Sequence, residues 1–177
     1  MARRVRVPLG FAFGLAYLWL AQPTVLSICI GAAIVVIGLA VRAIASGQLN
    51  KNEQLATSGP YSYTRNPLYL GSLLIGVGFA LAGRNLWVWI LLLAMFTAIY
   101  IPVIRSEESF LRSTFPDFES YSRRTPRLLP RWSGQSLTAQ FSGDLYLKHR
   151  EYNASIGAAL MMIAIIVKMI ITKSAGT

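Results

Sequence analysis

Cysteine, histidine and acidic residues are scarce in this sequence: one Cys, one His, and seven Asp plus Glu in 177 residues. The single Cys29 excludes an internal disulfide, and inside an apolar run it reads as a small packed hydrophobe. His149 has no carboxylate or cysteine cluster at ligand spacing around it, so no metal site is expected. Charge of either sign is thin, at 14% of residues against 54% hydrophobic. A mean hydropathy of +0.50 is too apolar for a soluble domain of this length. The charge present is lopsided, 17 Lys plus Arg for a formal net of +10. Such a balance serves nucleic acid or anionic lipid. The apolar content favours lipid, and neither a recognition fold nor interleaved exposed aromatics point to nucleic acid.

The sequence is rich in long apolar runs: roughly 8–22, 25–45, 67–82, 86–104 and 154–171. A spanning helix needs about 20 residues, with a range of about 17–25. The second, fourth and fifth runs qualify alone, whereas the first and third need neighbours or flanking polar residues. Arg3, Arg4 and Arg6 ahead of a short apolar core also resemble a signal peptide. Without a small-x-small cleavage site, Ala21-Gln22-Pro23-Thr24 reads better as a turn between helices. The expectation is an all-α, polytopic membrane helix bundle of about five transmembrane helices. Residues 1–177 form a single domain, with a motif core at about 46–130 and an extra C-terminal span at about 154–171.

Orientation follows from Lys and Arg. With the N-terminus in the cytoplasm, fourteen of the seventeen basic residues fall inside, and Arg84, Lys168 and Lys173 lie at or near the outside. The two long polar segments, 46–66 and 105–153, then share the cytoplasmic face, so any chemistry belongs there. Residues 107–121 carry Phe110, Leu111, Phe115, Phe118 and Tyr121 in an amphipathic pattern suited to the interface, with Pro116 starting a second short helix. Arg123, Arg124, Arg127 and Arg131 read as an anionic-lipid patch or as plain positive-inside bias.

The third run holds small residues four apart, Ser72-Gly76-Ala80 and Gly78-Ala82, a pattern that lets helix backbones approach closely. The expected partner is the fourth run, which follows after three residues and must return antiparallel. That hairpin brings Tyr61, Tyr63, Arg65, Asn66 and Tyr69 to the same end as Arg105, Glu107 and Glu108. Ionisable groups at a membrane boundary are costly unless paired, which makes them candidates for function. Asn66-Pro67 sets an extended residue before a proline-started helix, whose free N–H groups suit a carboxylate. Glu107 and Glu108 suit an ammonium or ribose hydroxyls. S-adenosylmethionine combines these groups, although a helix cap with interfacial salt bridges accounts for the same spacing.

The stretch TSGPYSYTRNPLYLG, followed by RSEESFLRSTFPDFESYSRRTPRLLP, resembles the isoprenylcysteine carboxyl methyltransferase and phospholipid methyltransferase group of integral-membrane enzymes. The resemblance covers about residues 46–130. It implies a methyltransferase with S-adenosylmethionine in an enclosed cytoplasmic pocket. By this resemblance Gln54, Leu55, Ala56, Tyr61, Asn66, Pro67, Leu68, Tyr69 and Glu107 or Glu108 contact the cofactor, and Arg65 of the constellation joins them. Arg105, in a register shifted by two, corresponds to the arginine that holds the acceptor, with Glu108 as its catalytic neighbour. Asn66 replaces the family's histidine. It keeps hydrogen bonding but loses titration near neutral pH. Methyl transfer then rests on alignment and exclusion of water.

The implied acceptor is lipophilic and comes from the bilayer: a prenylated cysteine-like carboxylate or a lipid amine. The setting is multi-pass, with the site facing the cytoplasm and a bacterial inner membrane favoured over endoplasmic reticulum. Two alternatives stand beside this reading. One is a membrane reductase of the sterol-reductase type with a nicotinamide cofactor. The other is a non-enzymatic membrane scaffold.

Overall fold

The computed structural model describes residues 12–49, 54–136 and 141–175. Arg3, Arg4, Arg6, Lys51 and the start of the first apolar run lie outside them. The helices, in order, are α1 (12–20), α2 (Val25–Ser46), α3 (Pro60–Tyr63), α4 (Pro67–Gly83), α5 (Leu86–Met95), α6 (Ile101–Thr114), α7 (Phe118–Arg124), α8 (Gly143–Lys148) and α9 (Tyr152–Ala175). No strand occurs among the described residues.

Three continuous helices are long and apolar enough to cross a membrane: Val25–Ser46, Leu86–Thr114 and Tyr152–Ser174. The chain is thus an all-helical membrane bundle. Of the other two expected spans, α4 has 17 residues. At about 1.5 Å per residue it falls short of a hydrocarbon core roughly 30 Å thick. The run containing α1 begins outside the described residues.

The bundle is built on α2 against α4. Gly31 lies against Gly78 and Gly38 against Gly71, antiparallel, so closely that an added Cβ would sit 2.4–2.8 Å from the facing carbonyl oxygen. Seven residues are almost two turns, so each pair lies on one face. In lipid, where burying apolar area from water gives no drive, such backbone approach is what holds helices together. The partner expected from sequence was the following span. Among the glycines of α4, Gly76 faces it, against Leu92 of α5. Gly76 is about 200° around the helix from Gly78 at about 100° per residue. The other face requires a glycine-bearing partner, which α2 supplies and the Leu- and Trp-rich α5 does not.

At one end the turns are short and mutually tied. Thr24 and Ser27 form a reciprocal capping box at the start of α2. Gln22 N–H donates to the Gly83 carbonyl at 2.8 Å, and Asn85 Nδ2 donates to Leu20 O at 2.8 Å. Lys168 of α9 reaches the carbonyls of Leu18, Trp19 and Ala21 at 2.6–2.8 Å, closing the C-terminal end of α1. Tyr17, Ala21, Ala80, Ala82, Val88 and Ile165 form the apolar core here. With this end closed over, the polar chain gathers at the other.

There α5 passes into α6 through a π-helical stretch, Phe96–Tyr100, with Ile101 N–H bonded to the Phe96 carbonyl. The cause is local: Pro102 has no N–H and its ring crowds the carbonyl four residues back, which one wider turn relieves. Helix α6 ends at Thr114, and α7 starts at Phe118. Pro116, expected as the first residue of that short helix, sits in the turn before it.

Candidate active site

Two turns set the floor of the site. Gly59 has φ +56°, and a Cβ there would fall 1.9 Å from the Gln48 side-chain oxygen, so only glycine fits. Pro60 then opens α3. Asn66 precedes α4 with its side chain turned away from the helix start, leaving that end without a side-chain cap. Pro67 at the first position has no N–H to satisfy.

Glu108 on α6 is the hub. It is 6% exposed. Its Oε1 takes Asn66 Nδ2 at 3.2 Å and lies 3.4 Å from Arg65 Nε. Its Oε2 takes Arg127 Nε at 3.0 Å and Nη2 at 2.8 Å. A buried carboxylate is tolerable only with such partners. Arg65 and Arg112 approach the ring of buried Phe118 at 6.0 and 5.9 Å from its centroid, within cation–π range. The neighbouring Glu107 differs. It is exposed and bound by Tyr69 Oη at 2.8 Å. Tyr69 in turn meets Tyr100 edge-on at 5.7 Å, and Tyr100 stacks on Phe96 across the π turn.

Residues 126–135 form an extended strap laid along 61–66. Arg65 N–H donates to Pro126 O and Arg131 N–H to Tyr63 O, both at 2.9 Å. Thr64 Oγ1 donates to the carbonyls of Arg127 and Leu128, and Asn66 Nδ2 to Arg127 O at 2.9 Å. Beneath, Tyr121 Oη donates to the Tyr61 carbonyl at 2.7 Å. Tyr61 is 7% exposed, and its own hydroxyl has no hydrogen-bond partner among the described residues. Burial pushes the Tyr61 phenol well above the usual tyrosine range, reinforced by Tyr121 and Glu107. Burial likewise raises Tyr121, partly offset by Arg65.

Tyr61, Arg65, Asn66, Tyr69, Glu107, Glu108, Phe118 and Tyr121 of these groups bound one cleft of about 210 Å³. All eleven residues singled out for the cofactor line it: Gln54, Leu55, Ala56, Tyr61, Arg65, Asn66, Pro67, Leu68, Tyr69, Glu107 and Glu108. Phe110, Leu111, Phe115, Phe118 and Tyr121 complete an apolar wall. In the sequence these five read only as an interfacial surface. Arg127, read as part of an anionic-lipid patch or of plain positive-inside bias, grips Glu108. No local signal separates it from Arg123, Arg124 or Arg131.

Arg105 does not join the cleft and is exposed. The cleft face of α6 is that of Glu107, Glu108 and Leu111. At about 100° per residue Arg105 lies far round from its centre. Among the described residues Arg65 lines the cleft, and Arg127 reaches it through Glu108.

A helical membrane bundle with a polar, carboxylate-bearing cleft at one end of an α4–α6 hairpin defines the class of protein. The chain belongs to the phospholipid methyltransferase family, whose pattern matches residues 10–117. It is 47% identical over 83 residues to the cobalt-zinc-cadmium resistance protein CzcN of Cupriavidus metallidurans, covering 47% of this chain and 38% of that protein. It is 40% identical over 83 residues to the nickel-cobalt-cadmium resistance protein NccN of Alcaligenes xylosoxydans xylosoxydans, covering 47% and 39%. To the protein-S-isoprenylcysteine O-methyltransferase of Schizosaccharomyces pombe it is 28% identical over 109 residues, covering 58% and 46%. The matches span less than half the length of each of these relatives. No solved structure matches the chain.

Proposed function

We propose that this protein transfers a methyl group from S-adenosylmethionine to a lipophilic acceptor at the cytoplasmic face of the membrane. The observation that carries the reading is the convergence of two distant segments, 54–69 and 107–121, on one cleft at a single end of the bundle. The residues fit such a cofactor. Glu107 offers a carboxylate at the rim for an ammonium group. Tyr61 lines the cleft, its buried hydroxyl has no hydrogen-bond partner among the described residues, and Phe110, Leu111 and Phe115 provide an apolar wall. At about 210 Å³ the cleft is below the roughly 300–1,000 Å³ of small-molecule sites, so a ligand of this size extends through its open side.

When bound, the cofactor supplies an electrophilic methyl group on a sulfonium. The chain's own part is to bind, orient and dehydrate. Glu108, neutralised by Arg65 and Arg127, fixes α6 to the strap and serves as an anchor. Tyr69 holds Glu107 in place. Tyr100 and Phe96 extend that aromatic row from Tyr69 along the bilayer-spanning helix, the side from which an acceptor dissolved in lipid arrives. A prenylated cysteine-like carboxylate and a lipid amine both fit this approach.

Two of the relatives are named for metal resistance. Among the described residues no group of three or more His, Cys, Asp or Glu gathers as ligands would. The test is calorimetric titration of S-adenosylhomocysteine into detergent-purified protein, followed by transfer of labelled methyl to membrane lipid. Micromolar binding that disappears in Glu107→Ala supports the reading. No binding by folded wild type overturns it.

A further inference from the structure

Asn66 has a use that a neutral histidine at the same position could not fill. Its Nδ2 lies 3.2 Å from Glu108 Oε1 and 2.9 Å from the Arg127 carbonyl oxygen. Both neighbours are acceptors only, so the atom between them must be the NH₂ nitrogen, and both of its hydrogens are used. Asn66 is 8% exposed and lines the cleft. The two groups it joins come from different elements, Glu108 from α6 and Arg127 from the strap. The strap lies wholly beyond residue 117, where the family match ends.

The geometry points to Asn66 as a positioning residue: its two-donor amide pins the 126–135 strap to α6 and so fixes the cleft-lining pair Asn66 and Glu108 against each other. Arg127 completes the clamp by returning its guanidinium to the same carboxylate whose partner amide holds its backbone. Thr64, with its hydroxyl on the Arg127 and Leu128 carbonyls, reinforces the same span of strap. A neutral imidazole has one N–H and can satisfy one of the two acceptors. An imidazolium has two. The asparagine therefore gives a clamp that does not vary with pH, where a histidine would give one that opens as it loses its proton. The charged and titratable groups facing position 66 are Glu108, Arg65 and Arg127, with Glu107, Tyr61 and Tyr121 around the same cleft.

The inference rests on the proposed function only for what the cleft holds, so its test uses a ligand-free readout. Amide hydrogen exchange, corrected for intrinsic rates, is followed at Arg65 and Arg131, whose N–H groups bond across the strap. Amides of the α2–α4 interface report global unfolding. In Asn66→His at pH 5.5 the strap amides keep protection close to wild type. At pH 8.5 they lose about tenfold or more, the equivalent of one to two hydrogen bonds, while wild type is unchanged. The loss reverses on returning to low pH, so each sample is its own folding control. Asn66→Ala exchanges fast at both pH values. Equal protection of the strap in Asn66→His at the two pH values, or protection in Asn66→Ala equal to wild type, overturns the proposal. S-adenosylhomocysteine binding is measured on the same samples. A pH-gated strap in a protein whose wild type binds no S-adenosylhomocysteine leaves the clamp standing and removes the methyltransferase reading.

Discussion

Asn66 and Glu108, forty-two residues apart, meet amide to carboxylate at 3.2 Å, where the start of α4 reaches α6. Around that contact the two adjacent glutamates take different parts. Glu108 faces inward to Arg65, Arg127 and Asn66, and Glu107 faces the rim with Tyr69. One residue of helical register, about 100° of rotation, separates a buried anchor from an exposed carboxylate.

Glu107→Ala and Glu108→Ala therefore separate stability from binding. Glu108→Ala leaves Arg65, with only 12% of its side chain exposed, facing no carboxylate. The expected loss is about 2–3 kcal/mol, below the roughly 3–5 for a fully buried pair because Arg127 is half exposed. Glu107→Ala stays within about 0.5 kcal/mol of wild type yet loses S-adenosylhomocysteine binding. Chemical denaturation in detergent beside calorimetry reads both.

Tyr61→Phe removes a hydroxyl that has no hydrogen-bond partner among the described residues, so the thermal midpoint holds or rises slightly. Ligand affinity falls by about 1 kcal/mol, the worth of one hydrogen bond. A midpoint several degrees lower would show that the hydroxyl is structurally engaged.

Alkaline stability follows from the same burial. Tyr61 and Tyr121 both ionise above the ordinary tyrosine value of 10.0 in the folded chain. Above that value the unfolded chain releases protons that the folded chain keeps, so stability is flat below about pH 10 and falls as pH rises beyond it. In Tyr61→Phe the fall is shallower. Denaturation midpoints between pH 8 and 11 test the slope.

Gly78→Ala places a Cβ 2.6 Å from the Gly31 carbonyl oxygen, and overpacking of this kind costs about 1–3 kcal/mol. Gly157→Ala, whose added methyl meets nothing within 4 Å, is neutral or stabilising through helix propensity. Thermal midpoints of the two variants should move apart. Equal midpoints would mean that α2 and α4 separate freely.

Lys168→Met keeps an apolar stem but strips the carbonyls of Leu18, Trp19 and Ala21 of their shared donor. The expected result is a lower midpoint with S-adenosylhomocysteine affinity unchanged, because this contact lies at the end of the bundle away from the cleft. A change in affinity with no change in midpoint would contradict that separation.

Long apolar runs, the Lys and Arg distribution and the two proline-started turns were readable in the linear chain, because hydropathy, charge and φ restriction act over a few residues. So was the gathering of residues 61–69 with 107–108, since a three-residue turn obliges the intervening helices to form a hairpin, whereas 54–56 came only from the family resemblance. The partner of α4, the outward position of Arg105, the split between Glu107 and Glu108, and the recruitment of Arg127 from a basic run were decided only in three dimensions. Each depends on the rotation of a helix about its axis or on the path of a strap that no local pattern dictates. Glycine faces set that rotation because they alone let two backbones meet. The buried Glu108 charge then selected the one arginine of its run that the path of the strap brought within reach.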